Sequence, residues 1–259
     1  HTVFQKDGEA PVAPSAVRGS IRTFTTEGFV PTSQPRALGL DEIPGVVDDF
    51  RQAARNALDA GFDGVQIHGA NGYLIDQFLR DGVNQRSDAY GGSVENRCRF
   101  LLEVTDAVVG EVGAERTSVR LSPFSTTWDC HDSQPAPLYQ HAIAQLDQRG
   151  LAFLEIVESV YESSVSGSAP QRQDGFGTDD VRSAYRGPLV LNGGYDRDRS
   201  EAVLAAGGAA AVSIARPYMF TPDLVERFAV GAPLNPPGED AAVYGGGDAG
   251  YIDFPTMQG

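Results

Sequence analysis

Cysteine is nearly missing. Only Cys98 and Cys130 occur among 259 residues. Two cysteines build no disulfide framework, and both read as free thiols of a reducing compartment. Long apolar runs, a signal peptide and a lipidation motif are also missing from the sequence. No membrane span or lipid anchor is therefore expected, and the cytoplasm is the default location. Positive charge is scarce as well: 20 Lys and Arg stand against 35 Asp and Glu, a formal net charge of −15. That balance argues against a nucleic-acid or anionic-membrane surface, and its plain meaning is solubility. It leaves room for a local basic pocket around a phosphate. No solenoid-like repeat occurs. The first residue is His1 rather than Met, so the gene is expected to begin further upstream.

What is present suits one sizeable core, with 41% hydrophobic and 21% charged residues. The 30 glycines and 16 prolines mark turns, because periodic apolar segments separate them. A single domain over 1–259 is expected, with loop and hairpin over 1–40, βα units over 41–230 and a tail over 231–259. Ser20 to Thr25 alternates and pairs with Gly28 to Val30 as a hairpin. A helix capped by Asp41 follows, carrying Ile43, Val46, Val47, Phe50, Ala54 and Leu58 at helical spacing. Strand 64–67 precedes an apolar helical pattern at Leu74, Ile75, Phe78 and Leu79. Helix 94–110 has Ser93 as its cap. Strand 117–121, helix 137–149, strand 151–157, helix 178–185, strand 188–192, helix 198–206, strand 210–215 and helix 222–229 complete the order. Strictly alternating β and α predicts a parallel sheet with function at the carboxyl ends of its strands.

The residues at those ends carry the chemistry. Gln66-Ile67-His68-Gly69-Ala70-Asn71-Gly72-Tyr73 places an imidazole, a carboxamide and a phenol within six residues. The imidazole and carboxamide can both donate to one substrate oxygen, and the phenol can deliver a proton. A packed histidine beside a turn-forming Asn-Gly is the alternative. No second histidine or cysteine lies at ligand spacing, so no metal is expected. Asn192-Gly193-Gly194 and Ala215-Arg216, at consecutive strand ends, combine close backbone approach with charge and suit a phosphate. Arg120 ends a strand of small and apolar residues and needs an anionic partner, either Glu155 or a cofactor with delocalised negative charge.

These segments resemble the Old Yellow Enzyme family of flavin-dependent ene-reductases. The likeness runs through Ile67–Leu74, Asp76–Leu79, Asn84–Asp88, Tyr90–Arg97, Arg120–Pro123, Asn192–Asp196, Arg216–Tyr218, Pro233–Asn235 and Gly250–Thr256, in order along essentially the whole chain. It implies a (β/α)8 TIM barrel, FMN, and NADPH or NADH as hydride donor to activated C=C bonds, nitro compounds or nitrate esters. It further implies that His68 and Asn71 bind the substrate's carbonyl or nitro group and that Tyr73 supplies a proton. Arg120 would meet the pyrimidine edge of the flavin. Asn192, Gly193, Gly194, Ala215 and Arg216 would hold the cofactor, and Tyr244 would line the substrate side.

Departures from the family pattern set the open questions. About five of the eight βα units are present, so a further segment or chain is expected to complete the barrel. A family segment with an arginine is shortened at His1-Thr2-Val3-Phe4. Ala215 stands where glycine is common, and Val243 where an aromatic is common. The competing readings are a flavin-free subunit or scaffold, and an isomerase or lyase using Tyr73 as acid. A monomer or homodimer acting on a small molecule is expected.

Overall fold

The computed structural model describes residues 1–158, 176–238 and 247–257. The N-terminal segment holds four short strands: β1 (Val12–Ala13), β2 (Arg22–Thr25), β3 (Gly28–Pro31) and β4 (Arg36–Ala37). β2 and β3 form the expected antiparallel hairpin, closed by an edge-on contact of Phe24 and Phe29 at 5.3 Å. β1 and β4 pair in parallel, which was not anticipated because two-residue strands carry no alternation.

The βα part follows in order: α1 (Ile43–Asp59), β5 (Val65–Gly69), α2 (Leu74–Leu79), α3 (Val94–Val112), β6 (Thr117–Leu121), α4 (Pro135–Asp147), β7 (Phe153–Val157), α5 (Thr178–Ala184), β8 (Leu189–Asn192), α6 (Arg197–Ala205), β9 (Ala211–Ser213), α7 (Arg216–Phe220) and α8 (Leu224–Val230). β5 to β9 form one five-stranded sheet, parallel throughout and in sequential order. Sequential parallel strands joined through helices are the barrel connection, and among the described residues β5 and β9 are the edges of the sheet.

The two faces of this sheet differ. Ile67, Val119, Leu121, Leu154, Ile156, Leu189 and Leu191 point outward into a core shared with Phe78, Phe100, Leu101, Leu138 and Ile143 of the helices. The alternate positions, which the parallel register aligns, are mostly polar: Gln66, His68, Ser118, Arg120, Glu155, Asn192 and Ser213. A parallel sheet packed by helices on both faces would read as continuous apolar runs. Here the inner face supplies functional groups instead.

Four local expectations change. Glu42, not Asp41, is the N-cap of α1, and it makes no capping bond because its carboxylate accepts from the Gly39 amide and pairs with Arg36. Pro44 in the first turn starts that helix without a donor to satisfy. β5 extends through His68 and Gly69, so the histidine lies inside the strand. β9 ends at Ser213, and Ala215-Arg216 belongs to the start of α7, a helix too short to show periodicity. The strongly polar Asp81–Arg99 stretch, which by itself reads as a structured surface loop with a helix cap, reaches into the core at Asn84 and Arg97. Asn84 donates to the carbonyls of Phe78 and Tyr90, and buried Arg97 pairs with buried Asp132. The expected Ser93 cap does form, its hydroxyl accepting from the Asn96 amide.

Candidate active site

The carboxyl end of β5 turns sharply into α2. Asn71 and Gly72 both take left-handed backbone angles, with φ of 57° and 77°. Asparagine and glycine tolerate that region best, which accounts for this dipeptide at the turn. The turn folds Tyr73 back against His68, with ring centroids 5.3 Å apart. Tyr73 is 56% exposed at the mouth, whereas His68 is half-buried. Asn71 lies between them in sequence, and its Oδ1 is buried with no hydrogen-bond partner among the described residues. The three side chains singled out in the sequence are thus brought to one strand end.

Beneath them runs a row of charge. In the parallel register His68 faces Arg120 on β6, and Arg120 faces Glu155 on β7. Arg120 Nε donates to Glu155 Oε1 at 3.0 Å, and Arg120 Nη2 to Asn192 Oδ1 at 3.0 Å. Glu155 also accepts from Gln66 Nε2 at 2.9 Å and from Ser213 Oγ at 2.7 Å. Of the two partners expected for Arg120, Glu155 is the one that lies within the chain. Burial depresses the His68 pKa below 6.5, and the Arg120 cation lowers it further, against the pull of Asp76 and Glu155. His68 is held as a neutral imidazole, which donates one N–H and accepts at the other nitrogen.

The second half of the site lies at the ends of β8 and β9. Gly193 and Gly194 have φ of 129° and 64°, and Asn192 pairs with Ser213, so the glycine turn stands beside the segment leading to Ala215 and Arg216. The side chain of Asn192 is spent on Ser213 and Arg120. Arg216 is exposed in the first turn of α7. A brace that the sequence did not reveal supports the turn. Arg199 Nη1 donates to Gly193 O at 2.7 Å, and its guanidinium lies 4.2 Å from the Tyr195 ring centroid. Arg199 and Tyr195 both donate to Glu158, at 2.9 and 2.6 Å.

Other side chains escaped sequence reasoning. Asp76 and Arg80 form a fully buried ion pair at 2.8 Å, joined by Tyr139 and Ser122. Their signal was an acid and a base four residues apart on and just after a largely apolar helix. Both cysteines are free and buried, and burial pushes the Cys98 thiol up to about 12 and the Cys130 thiol higher than its usual range, so neither is a ready nucleophile. Tyr244 and Val243 lie outside the described residues, as does most of the loop 159–177.

A polar row along the interior of a parallel sheet, three hydrogen-bonding side chains at one strand end and a glycine turn with arginines at another are the layout of an α/β-barrel enzyme site. The chain belongs to the NADH:flavin oxidoreductase / NADH oxidase family, whose model matches residues 2–235. Among its relatives, a protein of Oryza sativa subsp. japonica provisionally named 12-oxophytodienoate reductase 10 is 44% identical over 98% of this chain and 80% of its own length. The 12-oxophytodienoate reductase 1 of the same plant is 43% identical over 99% of this chain and 66% of its own. Morphinone reductase superposes with a TM-score of 0.91 at 42% identity, covering 100% of this chain and 69% of that one. An old yellow enzyme homologue from Zymomonas mobilis gives 0.88 at 42%, over 96% and 68%. The chain thus spans about two thirds of the length of three of these four proteins, and its sheet is the corresponding part of their (β/α)8 barrel.

Proposed function

We propose that this chain reduces activated C=C bonds with NADH or NADPH through bound FMN. The observation that carries the proposal is the meeting of His68, Asn71 and Tyr73 at one strand end, beside the Arg120 row. The residues fit FMN on two counts. The Gly193-Gly194 turn, with Arg216 near it, offers backbone amides and charge to a phosphate. Arg120 offers a cation to the electron-rich edge of the ring, shared with Glu155. Held by these residues, FMN would supply hydride-transfer chemistry between a nicotinamide and an activated alkene.

The chain's own residues do the rest. His68 donates an N–H to the carbonyl or nitro oxygen, and the Asn71 carboxamide donates beside it, drawing electron density from the alkene. Tyr73 stands at the mouth with its hydroxyl available to protonate the α-carbon. Tyr244 would line the same side. A small molecule is the substrate. The open sheet supports closure by further polypeptide, on the same chain or another, in a monomer or homodimer. Among the described residues no helix is long and apolar enough to cross a membrane, and the free thiols suit a cytoplasmic setting.

The test is direct. Purified protein should be yellow and should oxidise NADH or NADPH when 2-cyclohexenone is added. His68→Ala with Asn71→Ala should lose that turnover while keeping the colour. Protein that stays colourless and inactive with added FMN would overturn the proposal.

A further inference from the structure

The turn that presents Asn71 and Tyr73 is held from behind by a buried polar cluster. Asp76 is 1% exposed and Arg80 is 0% exposed. A buried ion pair adds little net stability over an apolar pair of the same volume, so its geometry points to another use. Asp76 Oδ2 accepts the Gly72 amide at 2.9 Å, while Asp76 Oδ1 accepts from Arg80 Nε at 2.8 Å and from the Tyr139 hydroxyl at 3.0 Å. Arg80 then reaches across to the segment after β6, donating to the carbonyls of Ser122 and Ser125 at 2.6 Å each. Ser122, itself fully buried, returns the connection by accepting the Asn71 amide on Oγ at 2.7 Å. The two consecutive left-handed residues thus each surrender their N–H to one side chain of this cluster. Ser122 follows Arg120 by two residues, so the cluster also ties the turn to the strand carrying the charged row.

We propose that Ser122, Asp76 and Arg80 are positioning residues for the substrate clamp: they fix the 70–73 turn so that the Asn71 carboxamide and the Tyr73 phenol stand beside His68. This rests on the clamp reading given above. None of the three need touch the substrate, and their effect on it passes through Asn71 and Tyr73.

A double-mutant cycle on the FMN-loaded protein tests this, with the dissociation constant of 4-nitrophenol as readout. Ser122→Ala deletes one atom and serves as the main variant, because Asp76→Asn puts the fold at greater risk. Ser122→Ala should weaken the phenol by roughly tenfold, the scale of a buried amide losing its acceptor. Ser122→Thr, which keeps a hydroxyl, should recover most of that loss. In an Asn71→Ala background Ser122→Ala should add little. An equal loss in both backgrounds means a general packing role and overturns the inference, as does unchanged affinity in Ser122→Ala when Asn71→Ala alone is weakened. Unchanged affinity in Asn71→Ala itself overturns the clamp reading, and the inference falls with it.

Discussion

At the scale of single residues, the charge state of His68 decides what the proposed clamp can do. A neutral imidazole beside a carboxamide gives two donors without a fixed positive charge. Its folded pKa lies below 6.5, so between the two values the unfolded chain binds a proton that the folded chain refuses. This group's contribution to stability is therefore complete above about pH 6.5 and is lost as the pH falls through that value toward the folded pKa. An NMR titration of His68 should show the depression directly. Arg120→Gln should move its pKa back toward 6.5, and Glu155→Gln should lower it further, because the two neighbours act with opposite signs. Tyr73 allows a kinetic test. Tyr73→Phe should cut turnover of 2-cyclohexenone about a hundredfold while leaving flavin reduction by NADH unchanged in stopped-flow traces. Most of these residues were legible in advance. His68, Asn71 and Tyr73 sit within six positions, and proximity in sequence at a strand end nearly guarantees proximity in space. Glu155 was visible only as a candidate partner for Arg120, because their meeting depends on register between strands that lie 35 residues apart.

At the scale of elements, most helices and strands were foreseen, down to the four-residue strands of the hairpin and the seven-residue α5 and α8, whereas α7 and the β1–β4 pair were not. α3 carries its apolar face through Phe100, Leu101, Val104 and Val108, and Ser93 caps it, so both its place and its start were readable. Ser93→Ala should lower stability by about 1 kcal/mol, seen as a lower urea midpoint with an unchanged slope. α7 and the β1–β4 pair were missed because five and two residues establish no period. The end of β9 was overestimated for a related reason: Ile214 and Ala215 continue the apolar run, while the backbone has already left the ladder. That shift moves Arg216 from a strand tip to a helix start without removing it from the β8–β9 corner. Arg216→Ala should weaken FMN, measured by loss of flavin on dilution, and should leave His68 and its neighbours unaltered in their NMR shifts.

At the scale of the whole molecule, the alternation along the strands explains why one face was easy to read and the other was not. Outward residues are mostly apolar and answer to the helices. Inward residues answer to whatever fills the barrel, and their polarity is meaningful only once all five strands are aligned. The buried link between Arg80 and the carbonyls of Ser122 and Ser125 has a consequence for anyone who would move this chemistry elsewhere. The proposed clamp is not a portable peptide. A graft of residues 68–80 onto another barrel would carry the histidine, asparagine and tyrosine but leave behind the hydroxyl of Ser122 and the phenol of Tyr139. The smallest transplantable unit is two adjacent strand ends with the helix of each.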